Sequence, residues 1–300
     1  MTQRIMAVVV TYNRLNLLKR AVEYIHRQTL PVADLIVVNN GSTDGTDEWL
    51  DAQTGITVVH QNNVGGSGGF YTGIKTAYEK GADWIWCMDD DVWPTDNCLE
   101  TLYGYASRDE KIGIVCPRRL FGGVKIVPGE TRSFNLTNPL RPTHKFLSQN
   151  EVGDKEIVKI EGMAFEGPLI KRAVVDKIGL PNKELFIFYD DSDYSYRSVL
   201  SGFDVCLLTK AILNKEQFPP KKKDKSTAAS EWKLYYFVRN MSYFNRAYGE
   251  TFASRWFGGI RFFLHEMWNV FYENKQEKLL SLGKIIHAFI DGKRKRLGKM

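Results

Sequence analysis

Apolar strand-like runs and amphipathic helices alternate along the first 90 residues, and this alternation constrains the fold more than any other feature. Four short apolar runs occupy residues 5–10, 35–38, 56–59 and 84–88. Between the first two, apolar side chains recur at helical spacing over residues 17–25. Strands that are separated by helices run parallel, with the helices covering both faces of the sheet. The sequence therefore predicts an α/β fold with a mostly parallel central sheet flanked by helices.

Three of the four apolar runs end in polar residues. Residues 12–14 (Tyr-Asn-Arg) follow the first run, residues 39–40 (Asn-Asn) end the second, and residues 89–91 (Asp-Asp-Asp) close the fourth. Ligands of such sheets bind outside the carboxyl ends of the strands. We therefore expect these polar groups to face one crevice.

The aspartate run at 89–91 is a candidate metal site. Alternate residues of an extended segment point the same way, so Asp89 and Asp91 can share a side. Two carboxylates suit Mg2+ or Mn2+, with phosphate oxygens as further ligands, and the metal would neutralise a diphosphate leaving group. The alternative is a solvated acidic turn or a helix cap before Pro94.

A second acidic cluster follows the apolar run at 186–189. Asp190, Asp191 and Asp193 lie within four residues of each other. A carboxylate in such a position is a candidate general base for a sugar hydroxyl. The alternative is that these acids occupy the first turn of a helix, where the helix dipole favours them.

Two turn-like segments are candidate donor-binding loops. In the segment 62–70 (NNVGGSGGF), Gly65 and Gly66 would let backbone N–H groups approach a phosphate or sugar closely, although a plain tight turn explains the pattern equally well. In the segment 37–46 (VVNNGSTDGT), an amide and a carboxylate at a strand end could bind the imide edge and ribose of a uridine-type base. The alternative there is an ordinary turn capped by Asp44.

The cysteines and the distribution of apolar residues indicate the compartment. The four cysteines are scattered, with no C-x-x-C pair, which disfavours a disulfide framework or a zinc site and fits a reducing compartment. No stretch reaches the roughly 18 apolar residues of a membrane span, and the first apolar run is too short for a signal peptide. We expect a cytoplasmic location.

The C-terminal region is basic and aromatic. The chain carries a net charge of +6, and residues 231–300 hold 13 Lys and Arg against 6 Asp and Glu. Six apolar residues lie on one helical stripe: Phe252, Trp256, Ile260, Phe263, Met267 and Phe271. Such a region could lie in a membrane interface or pack on protein. Nucleic-acid binding is disfavoured because no nucleic-acid motif accompanies the charge.

Several segments, taken in order, resemble family 2 glycosyltransferases, which have the GT-A fold. These segments are TYNR, VVNNGSTDGT, the GGSGG turn, MDDD, EGPLIKRAVVDKIGLP and FIFYDDSDYSYR. The combination of NNVGGSGGF, MDDDVWP, YDDSDYSYR and YYFVRN is similar to the bacterial galactofuranosyltransferases, with rhamnosyltransferases next. The resemblance covers residues 5–115 and 160–210, and more loosely residues 232–246 and the ending AFIDGKRKRLGK.

The resemblance implies a role for each matching position. It places the D-x-D metal site on Asp89 and Asp91, with Asp90 near the diphosphate, and the catalytic base on Asp191, with Asp190 beside it. It places the nucleotide pocket on Thr11, Asn13, Arg14, Asn39 and Asp44. It also implies inversion at the anomeric carbon by direct in-line displacement.

Two positions depart from the family pattern. The family usually has Asp where Asn39 stands, although Asn can still accept a hydrogen bond from a uracil N–H. Relatives often supply a histidine as a third metal ligand some two dozen residues after the base, and residues 211–216 contain none. Asn214, Glu216 or water could take its place.

These inferences combine into one functional hypothesis. Residues 1–218 form the catalytic domain, with an irregular acceptor-side insert at 118–160; residues 219–230 form a linker, and residues 231–300 form a helical region. The enzyme moves galactofuranose from UDP-galactofuranose onto a lipid-linked cell-surface glycan, at the inner face of the cytoplasmic membrane.

Three alternatives remain open at this point. The first is a rhamnosyltransferase or another hexosyltransferase that uses a dTDP- or UDP-sugar. A sugar nucleotidyltransferase is more distant, because it needs a basic glycine-rich loop where TYNRLN stands. The non-enzyme alternative is a membrane-associated scaffold, which the paired aspartates argue against.

Overall fold

The computed structural model describes residues 3–130, 132–218, 228–272 and 278–300. Its contacts divide the chain into two units. The sheet unit comprises Met1–Arg132, Phe146–Lys183 and Asp191–Phe218, and the helical unit comprises Ser133–Lys145, Glu184–Asp190 and Pro219–Met300. Of the predicted linker at 219–230, residues 219–227 lie outside the described residues.

The described residues form strands and helices with the following bounds. The strands are β1 (Ile5–Thr11), β2 (Asp34–Asn39), β3 (Ile56–His60), β4 (Trp84–Asp89), β5 (Val92–Pro94), β6 (Ile112–Phe121), β7 (Lys125–Ile126), β8 (Arg132–Phe134), β9 (His144–Phe146), β10 (Ile157–Ile160), β11 (Leu169–Lys171) and β12 (Asp204–Lys215). The helices are α1 (Leu15–His26), α2 (Thr46–Asp51), α3 (Gly65–Glu79), α4 (Cys98–Ala106), α5 (Gln149–Val152), α6 (Arg172–Ile178), α7 (Asp190–Leu200), α8 (Ala228–Tyr248), α9 (Phe252–Phe257), α10 (Ile260–Tyr272) and α11 (Lys278–Lys293).

The central sheet has the strand order β10-β12-β6-β11-β4-β1-β2-β3. The pairs β3–β2, β2–β1, β1–β4 and β6–β12 are parallel, while β11 is antiparallel to both of its neighbours and β10 is antiparallel to β12. The four predicted strands are present within one residue of their predicted ends. The predicted α/β architecture, with a mostly parallel sheet flanked by helices, is therefore confirmed.

Helices cover both faces of the sheet because the side chains of each strand alternate between faces. In β1, Met6 and Val8 pack in the core layer that contains Ile74 of α3. Ala7 and Val9 pack in the opposite layer, with residues of α1 and α4. The strand is buried along its whole length, as the uninterrupted apolar run of the sequence indicates.

The glycine-rich segment predicted as a turn is instead the beginning of α3. The helix starts at Gly65, so the prediction of a turn through residue 69 is wrong. The glycines let this helix pack unusually close to β1: a Cβ on Gly69 would lie 2.5 Å from Cγ1 of Val10, and one on Gly73 would lie 2.2 Å from Cγ1 of Val8. Their i, i+4 spacing puts both on the sheet-facing side.

Residues 118–160, predicted as an irregular insert, contain short elements. They include the end of β6, the strands β7, β8 and β9, the single-turn helix α5 and the strand β10. β8 pairs with β9 in a separate two-stranded sheet. Residues 133–145 of this segment belong to the helical unit.

In the helical unit, α8, α10 and α11 share an apolar core. Val238 of α8, Val270 of α10 and Ala288 of α11 are buried in it. The single stripe predicted from Phe252 to Phe271 is wrong, because Gly258 and Gly259 (φ +83°) separate α9 from α10. None of the described helices is both long and apolar enough to cross a bilayer.

The close approach of α3 to β1 predicts a large difference between two alanine substitutions in one helix. Gly73→Ala should lower the free energy of unfolding by about 2–3 kcal/mol, because its Cβ overlaps a stiff valine in a packed core. Gly66→Ala should leave it unchanged or slightly raised, because nothing lies within 4 Å of its Cβ position. Urea unfolding measures both.

The double variant Gly73→Ala/Val8→Ala is a further control. It removes the methyl group with which the new Cβ collides. The double variant should therefore lower the free energy of unfolding by less than the sum of the two single substitutions. Equal stabilities for Gly73→Ala and Gly66→Ala would contradict the packing described for this helix.

Candidate active site

The ends of β1, β2 and β4 bring three of the predicted polar groups to one edge of the sheet. The parallel register pairs Thr11 with Asn39, and Val10 with Asp89. The residues that follow these strands continue past the edge, as expected for the ligand-binding side of a parallel sheet.

Asp90 is the most completely hydrogen-bonded of the three consecutive aspartates. Its Oδ2 accepts hydrogen bonds from the Thr11 hydroxyl (2.8 Å) and the Tyr12 N–H (3.4 Å). Its Oδ1 accepts one from the Arg14 guanidinium (3.1 Å). Burial raises the pKa of Asp90 to about 6, although Arg14 and the Thr11 hydroxyl act in the opposite direction. The side chain therefore joins the end of β4 to the turn after β1.

Asp91 lies between two cations but keeps one unsatisfied oxygen. Its Oδ2 accepts a hydrogen bond from Arg14 (3.1 Å), and its Oδ1 lies 3.6 Å from the Lys215 ammonium. This Oδ1 is buried and has no hydrogen-bond partner among the described residues. Because buried polar atoms are nearly always satisfied, such an oxygen indicates a place for a ligand.

Asp89 completes the candidate metal pair. Burial of its carboxyl group raises the pKa of Asp89 well above its ordinary value, and the nearby charges of Asp91 and Glu166 raise it further. A divalent cation would offset this excess of negative charge, so the two carboxylates fit a hard metal ion.

Of the two side chains considered for a third metal ligand, that of Glu216 is engaged elsewhere, and Asn214 is placed by its backbone pairing. Glu216 forms an ion pair with Arg20 (2.6 Å). Asn214 pairs with Trp93 in the β12–β5 ladder. Within the described ranges, no three His, Cys, Asp or Glu side chains surround a common point. Asn214, water and the donor phosphates are then the candidates for the other ligands of a metal ion on Asp89 and Asp91.

A buried ion network beside these aspartates has no signature in the sequence. Glu166, just before β11, accepts hydrogen bonds from Arg119 of β6 and Lys215 of β12, both at 2.5 Å. Burial works against ionisation, yet the charges of Arg119 and Lys215 lower the pKa of Glu166 to about 2. The network fixes the ammonium of Lys215 near Asp91. Its members come from strands that meet only in the folded sheet, so no local motif marks them.

A cleft of about 820 Å³ lies beside the ends of β2 and β3. It is lined by Asn39, Gly41, Ser42, Asp47, Asp51, His60, Gln61 and Asn62. The two polar groups of Asn39 are already engaged: Oδ1 accepts a hydrogen bond from the Ser42 N–H (3.1 Å), and Nδ2 donates to Oδ1 of Asp47. His60 also contacts that Asp47 oxygen, at 2.7 Å. Two carboxylates line the cleft, Asp47 and Asp51, and the one that contacts Asn39 is Asp47, which the sequence did not single out.

Asn13 and Asp44 hold two turns together. Asn13, which has a left-handed backbone (φ 53°), accepts a hydrogen bond from the Thr43 N–H (2.6 Å). Asp44 accepts hydrogen bonds from the Leu15 N–H (3.0 Å) and the Thr46 hydroxyl (2.5 Å). Burial by itself would raise the pKa of Asp44, but these hydrogen bonds lower the pKa below its ordinary value. Asp44 thus joins the turn before α2 to the first residue of α1.

The start of α3 is tied to the turn after β2. The Asn40 side chain accepts a hydrogen bond from the Val64 N–H (3.2 Å) and donates one to the Gly65 carbonyl (3.0 Å). The Gly65 N–H is already bonded to Oδ1 of Asn63 (3.0 Å), whereas Gly66 faces open space. Of the two glycines considered for donor contact, Gly66 is the more accessible.

Asp191 lies in the first turn of α7 with a cationic partner. Its Oδ2 pairs with Arg132 (3.2 Å), and its Oδ1 accepts a hydrogen bond from the Ser192 N–H (2.6 Å). Asp193, in the same turn, pairs with Arg197 at 2.9 Å and is buried. Asp190 is buried at the helix start and is grouped with the helical unit. Of the three acids, Asp191 is the least buried, and Arg132 orients it.

In the helical unit, the segment that precedes Asp190 has a strained backbone. Phe186, Phe188 and Tyr189 all have left-handed φ values of 65–66°, which are uncommon for bulky residues. Asn240 of α8 stabilises this conformation by donating hydrogen bonds of 2.8–2.9 Å to the carbonyls of Leu185, Ile187 and Phe188. Such strain often accompanies functional sites. The YYFVRN motif thus contributes a structural asparagine.

Comparisons with known proteins agree with this architecture. The family model "Glycosyl transferase family 2" matches residues 6–179. Galactofuranosyltransferase GlfT1 of Mycolicibacterium smegmatis is 31% identical over 221 residues, which is 69% of each chain. The protein of the same name from Mycobacterium tuberculosis is 30% identical over the same share.

Two solved structures share the fold. GalNAc-T7, crystallised with UDP, GalNAc and Mn2+, superposes with a TM-score of 0.65 at 13% identity, over 98% of this chain and 56% of GalNAc-T7. Residues 1–349 of S. aureus TarS superpose with a TM-score of 0.61 at 15% identity, over 98% of this chain and 82% of TarS. Together with the family match and the carboxylates at the strand ends, these likenesses show that the chain belongs to glycosyl transferase family 2 and is a glycosyltransferase with the GT-A fold.

Proposed function

We propose that this enzyme transfers galactofuranose from UDP-galactofuranose to a lipid-linked cell-surface glycan, with inversion at the anomeric carbon. The sugar is proposed from the 31% identity to a galactofuranosyltransferase over 69% of both chains. The observation that carries the reaction class is the pair of the half-buried Asp89 and the buried Asp91, with one unsatisfied carboxylate oxygen on Asp91.

Asp89 and Asp91 would hold Mg2+ or Mn2+ against the donor diphosphate. When bound, the metal supplies positive charge that stabilises the departing diphosphate. The chain's own cations prepare this site: Arg14 and Lys215 flank Asp91, and Glu166 fixes Lys215. Such fixed charges stabilise a developing charge without having to reorganise during the reaction.

Asp191 is the proposed general base. Its carboxylate would accept the proton of the acceptor hydroxyl as that oxygen attacks the anomeric carbon. Arg132 on Oδ2 and the Ser192 N–H on Oδ1 fix the orientation of the carboxylate, and Oδ2, with its single described partner, is the proposed proton acceptor. Asp190, the preceding residue, is the other candidate of this pair.

The cleft at the ends of β2 and β3 is the proposed uridine pocket. Uracil presents an N–H donor at its imide edge. Because Oδ1 of Asn39 is engaged, the proposed acceptor is Asp47, the cleft carboxylate that contacts Asn39. Both described contacts of Asp47 use its Oδ1, so its Oδ2 remains available to a base. Thr11, Asn13, Arg14 and Asp44 would then shape the pocket and the approach to the diphosphate, through the turns that they hold together.

The Asp191 assignment predicts loss of transfer with retention of donor binding. Asp191→Asn should lower the transfer rate by about 10³-fold, since general base catalysis typically contributes 10²–10⁴-fold. UDP binding measured by calorimetry should stay within about twofold of the wild type, because Asp191 acts on the acceptor. A panel of nucleotide sugars, assayed by UDP release with and without acceptor, measures the rate and identifies the donor.

The matched control is Asp154→Asn, an exposed carboxylate of the same unit, which should retain full activity. Full transfer activity in Asp191→Asn would contradict the assignment. Preference for a donor other than UDP-galactofuranose would overturn the proposed sugar but leave the base assignment standing.

The pocket assignment predicts that Asp47 sets the choice of base. Asp47→Asn should weaken UDP binding by roughly 10- to 100-fold, since hydrogen bonds to charged groups contribute about 1.5–3 kcal/mol. It should also reduce discrimination against CDP, because cytosine presents an acceptor where uracil presents its imide N–H. Calorimetric titration with both nucleotides measures the ratio.

Asp51→Asn is the comparison variant, since Asp51 lines the same cleft and contacts the other nitrogen of His60 at 3.2 Å. It should change UDP affinity by less than about threefold, as expected for an exposed ion pair. If the two variants behaved alike, Asp47 would have no special role in base recognition.

A further inference from the structure

Exposed apolar side chains are concentrated in α9 and α10. Among the residues that the structure describes, 18 large hydrophobic side chains are exposed, and 7 of them lie between residues 252 and 272. These seven are Phe252, Trp256, Phe257, Leu264, Trp268, Phe271 and Tyr272. Six of them are 52–74% exposed, and five of these six are aromatic. A cluster of this size on one surface marks an interaction site.

The helix α10 has two apolar faces rather than one. Phe262, Phe263 and Met267 turn toward the core that α10 shares with α8 and α11. Leu264, Trp268 and the pair Phe271–Tyr272 recur at i, i+4, i+7 and i+8 on the opposite face and are exposed by 57–64%. Packing in the helical unit therefore accounts for the apolar residues of the inner face, but it does not account for those of the outer face.

The surroundings of this outer face are cationic. Arg255 of α9 and Arg261 of α10 are exposed, and Glu266 is the one acidic residue between 252 and 272. The basic run at 294–296 is exposed as well and begins directly after Lys293. The Lys293 ammonium donates hydrogen bonds to the carbonyls of Arg255 (3.0 Å) and Gly258 (3.2 Å), which places the basic run at the end of α9.

The chemistry of this surface favours lipid over a second copy of the chain. A dimer through this face would enclose the arginines of both copies with Glu266 as the one acidic residue of each segment, and like charges in an interface oppose association. Trp and Tyr side chains are instead typical of the headgroup zone of a bilayer, where one part of the ring is apolar and the other is wet. Basic residues beside them attract anionic headgroups.

We infer that the outer face of α9 and α10 inserts into the headgroup zone of an anionic bilayer, with the basic run at 294–296 on the headgroup phosphates. The helices lie in the plane of the interface, since no described helix can cross a bilayer. This contact goes beyond the proposed reaction, because it requires neither a donor nor an acceptor. It would bring the catalytic unit to a lipid-linked acceptor.

Flotation of the full chain with vesicles tests the inference. The protein should bind vesicles of phosphatidylcholine that contain about 30% phosphatidylglycerol, and it should bind pure phosphatidylcholine at least about tenfold more weakly. Raising the salt concentration from about 0.1 M to 1 M should release much of the bound protein, because salt screens the headgroup attraction.

The variant Trp268→Ser/Phe271→Ser should bind the anionic vesicles at least about 30-fold more weakly, because it lacks two large apolar side chains that the wild type transfers from water into the bilayer. The variant Arg294→Gln/Arg296→Gln should bind about tenfold more weakly. The matched control is Leu140→Ser/Leu200→Ser, which removes two apolar side chains of comparable exposure (70% and 62%) outside this surface and should bind like the wild type.

Two further measurements separate this contact from catalysis and from self-association. UDP release without vesicles should be the same in all of these variants, so a change there would concern the proposed function and not the surface. Unweakened vesicle binding by Trp268→Ser/Phe271→Ser would overturn the inference. The inference would also be overturned if the wild type did not bind vesicles and sedimented as a dimer that these substitutions dissociate. That result would identify a second copy as the occupant.

Discussion

Burial of the carboxylates at the end of β4, together with the repulsion among them, is the constraint around which the site is organised. Burial and neighbouring negative charge raise the pKa of Asp89 well above its ordinary value, and burial raises that of Asp90 to about 6. Arg14 offsets part of this charge from the turn after β1, and Lys215 offsets part from β12. Replacing water by fixed charges in this way is what prepares a site for a charged substrate. Oδ1 of Asp91 remains without a hydrogen-bond partner among the described residues, and a divalent cation would bind this oxygen and offset its negative charge.

The sheet is the reason that these groups can meet. β4 pairs with β1 on one side and with β11 on the other, and Glu166 stands just before β11. β12 lies two strands further along and carries Lys215. Strands that are distant in sequence thus deliver an anion and a cation to the same edge. The glycines of α3 let this helix pack closely against β1. Asn40 links the start of the same helix to the turn after β2.

The sequence predicts well what depends on local pattern. Uninterrupted apolar runs mark the four parallel strands, because burial on both faces removes the usual alternation. The aspartates at 89–91 follow from their position after such a run. Glycines are ambiguous, since the same residue type serves a turn or a close helix–sheet contact, and the segment at 65–69 proved to be helix. The prediction of one helical stripe in the C-terminal region was wrong because it assumed a single helix, whereas α9 ends at Gly258.

What the sequence could not predict depends on contacts between distant residues. Glu166 and Lys215 are 49 positions apart, and Arg132 and Asp191 are 59 apart. No local spacing relates such pairs. Asn39 stands at the expected nucleotide position, yet its side-chain amide is engaged by the Ser42 N–H and by Asp47, a cleft carboxylate that no sequence pattern marks. Which polar group faces a cavity is decided by hydrogen bonds that form only after folding.

In the proposed mechanism, Asp91 holds a divalent cation against the donor diphosphate. Calorimetric titration of UDP into the wild type and Asp91→Asn, each with Mn2+ and with chelator, tests it most directly. The wild type should bind UDP at least about tenfold more tightly with Mn2+, and Asp91→Asn should lose most of this gain while binding similarly in chelator. An undiminished gain from Mn2+ in Asp91→Asn would contradict the account.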